Sequence, residues 1–289
     1  MTYFDFSTAS IRGLAQADVA RALTEDVGAG DLTAALVDPL RRARARVLAR
    51  ESVVMCGQAW ANAAVLALDP DAKVVWHVQE GQRSEVDQVV LEIEGKAQAL
   101  LTAERTALNF LQLMSAVASK TAVFVDAIAS VPNNRAVIVD TRKTIPGLRL
   151  AQKYAVRTGG GVNHRIGLYD AVLIKENHIA AAGGITPAFA RARQTAQSAS
   201  FIEVEVETLE QLQEALQIGV TMILLDNMTL EQMRAAVAMN AGRAILEVSG
   251  GVQLDTVRDI AATGVDRISI GALTKDIHAA DFSMRFEEI

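Results

Sequence analysis

A single cysteine, Cys56, is all that the 289 residues contain, which excludes an internal disulfide and any zinc site built from several thiolates. Nothing in the composition therefore calls for an oxidising compartment. Residues 1–10 lack a basic start followed by an apolar run, so no signal peptide is expected. No stretch of the chain reaches the roughly 18–20 uninterrupted apolar residues of a membrane helix. Positive charge is also in short supply: 28 Lys and Arg face 34 Asp and Glu, a net charge of -6, which argues against a dedicated nucleic-acid binder. Where arginines do gather, at Arg41, Arg42, Arg44, Arg46 and Arg50, they alternate with Ala and Val, and no aromatics stand between them to stack bases. They read as a half-exposed strand. The expectation is a cytoplasmic protein with neither a membrane nor a nucleic acid as partner.

What is present is globular: 51% hydrophobic and 21% charged residues, in a length that suits one barrel-sized domain plus a smaller one. The charge is unevenly spread. Residues 140–178 carry seven Lys and Arg against three acids, a balance of +4, while the segments before and after stand at -3 and -7. A basic segment in an acidic chain can draw in a small polyanion.

Residues 17–26 have helical spacing that ends at Gly28 and Gly30, and residues 44–50, 74–78 and 89–93 alternate like strands. From 102 to about 130 the pattern is helical. Beyond it, short apolar strands at 137–140, 171–174, 201–206, 222–225, 244–248 and 267–270 end in polar residues or glycine, and most are followed by helix-like stretches. The last units recur at 21 to 23 residues, as in Glu205, Asp226, Ser249 and Gly271. This rhythm predicts a parallel sheet with right-handed crossovers. Residues 282–286 offer a seventh strand, so a closed or nearly closed α/β barrel is favoured. No Gly-rich dinucleotide turn follows the first strand, which disfavours a doubly wound sheet.

In such a barrel the chemistry sits where strands end. Those ends supply Thr141, Arg142, Lys143 and Thr144; then Lys175 to His178; Glu205 with Glu207; Asp226 and Asn227; Ser249, Gly250 and Gly251; and finally Gly271 and Ala272. Early strands give cations, middle strands carboxylates, late ones small residues. The late turns suit a phosphate held against backbone N–H groups, and glycine lets it approach. Glu205 and Asp226 are oxygen donors for Mg²⁺ or for ribose hydroxyls. Glu203, Glu205 and Glu207 share one face of their strand, and the apolar Ile202, Val204 and Val206 share the other. With the apolar face against helices the glutamates turn inward, where they want cations. Lys143, Lys175 and Arg165 are the candidates. Arg142 and Arg165, as two-pronged forks, suit a dicarboxylate. His77 and His278 carry no functional reading, and His178 is left open.

Several motifs then match one family in order and spacing. They are Glu104-Arg105-Thr106-Ala107-Leu108-Asn109, Thr141-Arg142-Lys143-Thr144 with Pro146-Gly147, Lys153-Tyr154-Ala155, and Gly159-Gly160-Gly161 followed by Asn163-His164-Arg165. Further on come Lys175-Glu176-Asn177-His178, Glu203 to Glu207, Leu225-Asp226-Asn227, Glu247-Val248-Ser249-Gly250 and Ser269 to Lys275. From about residue 22 to 286 the chain resembles quinolinate phosphoribosyltransferase, the carboxylating nicotinate-nucleotide pyrophosphorylase. It departs at Gly251, where many relatives are expected to have Asn.

The resemblance implies an N-terminal α/β sandwich, residues 1–115, followed by an open α/β barrel, residues 116–289, whose C-terminal tail can return to the first domain. It implies transfer of phosphoribosyl from phosphoribosyl pyrophosphate to quinolinate with loss of CO₂, in a homodimer with shared sites and with Mg²⁺ as cofactor. Arg105, Arg142, His164, Arg165 and Lys175 would bind the quinolinate carboxylates. Lys143, Glu205 and Asp226 would face phosphoribosyl pyrophosphate and its Mg²⁺, and Thr141, Ser249, Gly250, Gly251, Gly271 and Ala272 would complete the substrate site. Lys143, Lys175, Glu205 and Asp226 carry the catalytic expectation. Two other readings of the residues remain: a Schiff-base aldolase-type barrel using Lys175, and a paralogue that keeps the phosphate site without turnover.

Overall fold

The computed structural model describes residues 4–288. The first elements are α1 (Thr8–Val27), β1 (Arg42–Ala49), α2 (Gln58–Leu68), β2 (Lys73–Trp76), β3 (Gln88–Lys96) and α3 (Ala97–Ala129). There follow β4 (Val137–Val139), α4 (Arg149–Thr158), β5 (Val172–Ile174), α5 (Glu176–Ala182), α6 (Ile185–Thr195), β6 (Ile202–Val206) and α7 (Leu209–Gln217). The chain continues through β7 (Met222–Asp226), α8 (Leu230–Asn240), β8 (Ile245–Ser249), α9 (Val257–Ala261), β9 (Arg267–Ser269) and α10 (Ala272–Lys275) to β10 (Phe282–Glu288).

Two compact units result. The first holds the chain up to Lys120, the segment Ile145–Gly160 and everything from Asp276; the second holds Thr121–Thr144 and Gly161–Lys275. The sheet of the first unit is antiparallel, in the order β10-β1-β3-β2. Its alternation is legible in β1, where Ala43, Ala45, Val47 and Ala49 are buried and the arginines point outward. Arg46 pairs with Glu92 at 3.0 Å and Glu287 at 2.9 Å, carboxylates on the two neighbouring strands. Helix α1 starts at the Ser7 cap, whose hydroxyl accepts the Ser10 N–H. Buried Asp18 on that helix accepts the Trp60 indole N–H at 2.9 Å.

Residues 282–286, expected as a seventh barrel strand, lie instead in β10, antiparallel to β1. Period-two alternation fits either sheet, and only the long-range pairing decides. Helix α3 is long and apolar enough to cross a membrane, although interrupted by charges; most of that stretch is buried inside the protein. Leu100, Leu108, Leu111, Met114 and Val117 are among its core residues.

The second unit has a six-stranded parallel sheet in the order β4-β9-β8-β7-β6-β5, open between β4 and β5. Val204, Val206, Ile223, Leu225, Leu246, Val248 and Ile268 are buried, the near-continuous apolar pattern of strands covered on their outer face by helices. Thr208 and Thr229 cap α7 and α8 through their hydroxyls, so each helix starts two or three residues past its strand. Strands β6 and β8 have β7 between them, and the side chains of Glu203 on β6 and Glu247 on β8 converge until their carboxylate oxygens lie within 4.8 Å.

Candidate active site

The strand ends of the second unit converge as the barrel rule requires. After β4, the Thr141 hydroxyl accepts the Lys143 N–H at 3.1 Å, and the Thr274 hydroxyl donates to the Lys143 carbonyl at 2.8 Å. The Lys143 side chain lies across Gly271: a Cβ added there would stand 2.9 Å from Lys143 Cδ. Glycine at 271 thus leaves the path of the lysine free, and Ala272 opens the short helix that follows.

Arg142 and Arg165 come together from β4 and from the loop before β5. Arg165 is only 9% exposed. Burial and the neighbouring Arg142 charge both lower its proton affinity, against partial compensation from Asp170 and Glu203. Positive charge gathered from these two elements favours an anion as ligand. The loop that delivers Arg165 is pinned by two buried aspartates. Asp140 accepts from the Asn163 amide at 2.6 Å and from the His164 N–H at 2.8 Å. Asp170 accepts from the Ile166 and Gly167 N–H groups at 2.7 and 2.8 Å.

The inward turn of the glutamates holds for two of the three. Glu203 and Glu205 are buried and Glu207 is exposed. Glu205 meets one of the expected cations, Lys175 at 2.5 Å, whereas Glu203 binds His164 at 2.8 Å instead of a lysine or arginine. The imidazole is buried, and both of its nitrogens are engaged, since Nδ1 accepts the Arg165 N–H at 2.7 Å. It therefore offers no free nitrogen for a substrate carboxylate. His178 is structural, its Nδ1 accepting the Lys175 N–H at 3.0 Å at the start of α5.

Behind His164 stands a buried charged layer that the strand pattern did not single out. Glu247 receives Arg267 Nε at 2.7 Å and the Ser269 hydroxyl, and lies 3.4 Å from His164 Nε2. Burial pushes the Glu203 carboxyl up, and the Glu247 charge pushes it further. Burial would raise Glu247 too, but His164, Arg267 and Ser269 outweigh it and hold that carboxyl below its ordinary value. For His164 burial opposes protonation, while the two glutamates outweigh burial and push its pKa up to about 9. The Arg165 N–H aimed at Nδ1 runs against that value, because a doubly protonated ring cannot accept it. The hydrogen-bond geometry fits a ring whose proton sits on Nε2, facing Glu203, with Nδ1 left to accept. By composition His164, Glu203 and Glu247 could hold a cation. Arg267 already supplies the positive charge there.

Glu205 pairs with Leu224 across β6 and β7, so Asp226, two residues on, shares its face and stands one step closer to the strand ends. Asp226 is half-buried and accepts from the Asn227 amide at 2.7 Å. Asn227 itself is left-handed, with φ 53°, and its N–H donates to the Ser249 carbonyl at 3.1 Å. Gly250 is required here: its φ is +101°, and a Cβ would stand 2.1 Å from Asn227 Oδ1. Gly251, at φ +60°, has open space around it. Gly250→Ala is therefore expected to cost about 1–3 kcal/mol, read as a lower thermal midpoint, whereas Gly251→Asn is expected to leave the midpoint nearly unchanged. Arg105 lies in the first unit and is exposed.

Comparison with known proteins agrees along the chain. Residues 31–115 match the family model described as quinolinate phosphoribosyl transferase, N-terminal domain, and residues 117–285 match its C-terminal domain. A probable nicotinate-nucleotide pyrophosphorylase (carboxylating) of Bacillus subtilis is 39% identical over 260 residues, covering 90% of this chain and 89% of the relative. The nicotinate-nucleotide pyrophosphorylase (carboxylating) of Mycobacterium leprae is 41% identical, with 92% and 95% covered. The solved structure of the Francisella tularensis nicotinate-nucleotide pyrophosphorylase superposes with a TM-score of 0.91 at 41% identity, covering 96% of this chain and 97% of that one.

Proposed function

The chain belongs to the quinolinate phosphoribosyl transferase family, and on that premise we propose that it transfers the phosphoribosyl group of phosphoribosyl pyrophosphate to quinolinate, releasing pyrophosphate and CO₂ and leaving nicotinate mononucleotide. The observation that carries the reading is the match to both family domains along the chain, with Arg142 and Arg165 as the candidate pair of two-pronged cations. Such a pair suits a ligand with two carboxylates better than one. Lys175 adds further positive charge to this clamp, as does an Arg105 supplied by a second subunit, and His164 serves it by holding the Arg165 backbone.

Lys143 and the open turn at Ser249, Gly250 and Gly251, with Thr141, Gly271 and Ala272, take the phosphate groups of the donor. Glu205 and Asp226 are hard oxygen donors on one face of adjacent strands, a set that fits Mg²⁺. When bound, Mg²⁺ neutralises charge on the pyrophosphate. In the reaction the C1–O bond to pyrophosphate breaks while positive charge grows on the ribose, beside the carboxylates of Glu205 and Asp226. The pyridine nitrogen supplies the electron pair for the new C1–N bond and becomes cationic. That charge stabilises the electron pair left on the ring carbon when CO₂ departs, and a proton then replaces it. Lys175, ion-paired with Glu205, acts as a charge and not as a Schiff-base nucleophile.

The active form is a homodimer in the cytoplasm. Leu32, Leu36 and Leu40, each at least 85% exposed, are large apolar side chains of the kind an interface covers.

The decisive assay offers the protein quinolinate, phosphoribosyl pyrophosphate and Mg²⁺ and detects the product by mass. Product from quinolinate with little from nicotinate is expected; comparable turnover of nicotinate overturns the dicarboxylate reading. Glu205→Ala and Asp226→Ala are each expected to move the Mg²⁺ dependence of turnover upward by about tenfold, equivalent to ~1.4 kcal/mol. Superimposable Mg²⁺ titrations would remove both residues from the metal site.

A further inference from the structure

The interior of an α/β barrel is ordinarily filled by branched apolar side chains. Here part of it holds Glu203, Glu247, Arg267, Ser269 and the ring of His164, all buried or nearly so. Buried charges of this kind are costly, and apolar residues of similar volume are often no less stable. Their geometry gives the layer a task.

The loop carrying Arg165 is held from two sides. Asp140 fixes its backbone through the His164 N–H and the Asn163 amide. The ring of His164 fixes the next peptide, accepting the Arg165 N–H on Nδ1 at 2.7 Å. That bond needs Nδ1 bare and the ring plane set, and both follow from what binds Nε2. Glu203 Oε2 lies 2.8 Å from Nε2 and Glu247 Oε1 3.4 Å from it. Glu247 cannot swing away, because Arg267 and Ser269, two residues apart on β9, clasp it. Phe201 closes the ring edge-on, with centroids 5.4 Å apart.

We propose that Glu203 and Glu247 are positioning residues for recognition of the substrate carboxylates: they fix the His164 imidazole, which in turn sets the Arg165 backbone and so holds its guanidinium beside Arg142. Neither glutamate touches substrate. The inference rests on the reading of Arg142 and Arg165 as the dicarboxylate clamp.

The test uses the full chain and varies quinolinate and phosphoribosyl pyrophosphate separately. Glu203→Met fills the same volume with no acceptor for Nε2–H, whereas Glu203→Gln keeps one. Glu203→Met is expected to raise KM for quinolinate about tenfold or more, since misplacement of a positioning group by an ångström is costly, with KM for phosphoribosyl pyrophosphate within about threefold. Glu203→Gln is expected to stay near wild type for both. Equal rises in the two KM values, or a glutamine variant as impaired as the methionine one, overturn the proposal. ¹⁵N spectra of the His164 ring in the wild-type protein give a second reading that no variant's folding can spoil. A single proton on Nε2 is expected; a proton on Nδ1 overturns the relay. Wild-type protein that neither binds nor turns over quinolinate would instead overturn the clamp reading, and the ¹⁵N result would still judge the relay.

Discussion

Lys143→Ala is expected to lower turnover by about 10²–10³, a loss on the order of 2–4 kcal/mol in transition-state stabilisation. Two features of the site motivate the size. The lysine lies across Gly271, which has no side chain to obstruct it, and its backbone is tied by Thr141 on one side and Thr274 on the other. The two backbone ties fix where the side chain starts, and the bare Gly271 leaves it room to lie over the strand end. The departing pyrophosphate gathers negative charge as its bond to ribose breaks, so a cation placed there is worth more in the transition state than in the ground state. Lys96→Ala is the control, an exposed lysine at the end of β3 in the first unit. Thermal unfolding of both variants separates damage to the fold from damage to catalysis. A folded Lys143→Ala protein with unchanged turnover would remove the lysine from the mechanism.

The parts of this site that the sequence exposes are those governed by local periodicity. Glu203, Val204, Glu205 and Val206 alternate, and the apolar pair must face helices, so two of the glutamates could be turned inward from the sequence alone. The same argument applied to Leu246, Glu247, Val248 and Ser249 finds Glu247, but its neighbours drew attention to the glycine turn instead. Partners are less legible than faces. Glu203, for which a lysine or arginine is the expectation, meets His164, because the pairing depends on where the loop before β5 lays the imidazole. The loop aspartates Asp140 and Asp170 gather backbone N–H groups, and nothing in their spacing along the sequence shows it.

Boundaries follow the same division. Helix α1 begins at Thr8, nine residues before the periodic stretch at 17–26, because polar residues fill its start and the Ser7 cap sets it. Helix α3 begins directly after β3, with Ala97 following Lys96, so no turn residue marks the change of period. The placement of β10 beside β1 joins segments more than 230 residues apart, and no local signal encodes such a pairing.

Arg105→Ala and Lys143→Ala are each expected to be nearly inactive alone, and to regain activity when the two chains are co-expressed and the mixed dimers isolated. The reason is the placement of their side chains. Arg105 is exposed on α3, in the first unit, while Arg142, Lys143, Arg165 and Lys175 all belong to the second. If Arg105 serves the dicarboxylate clamp across the interface of a two-fold dimer, each subunit lends its arginine to the other. The competing account makes Arg105 a surface charge beside Glu104, whose carboxyl is raised by burial and pulled back by that arginine. The two accounts part in the mixed dimer. If the arginine crosses the interface, one site combines both substitutions and is dead, and the other is assembled from wild-type Arg105 of one chain and wild-type Lys143 of the other. Such dimers should recover up to about half the activity of the unsubstituted dimer, the share of one intact site in two. If each chain uses its own Arg105, every site in the mixed dimer lacks one residue and activity stays at the level of the parents. Mixed dimers that remain as inactive as either parent would therefore place Arg105 outside a shared site.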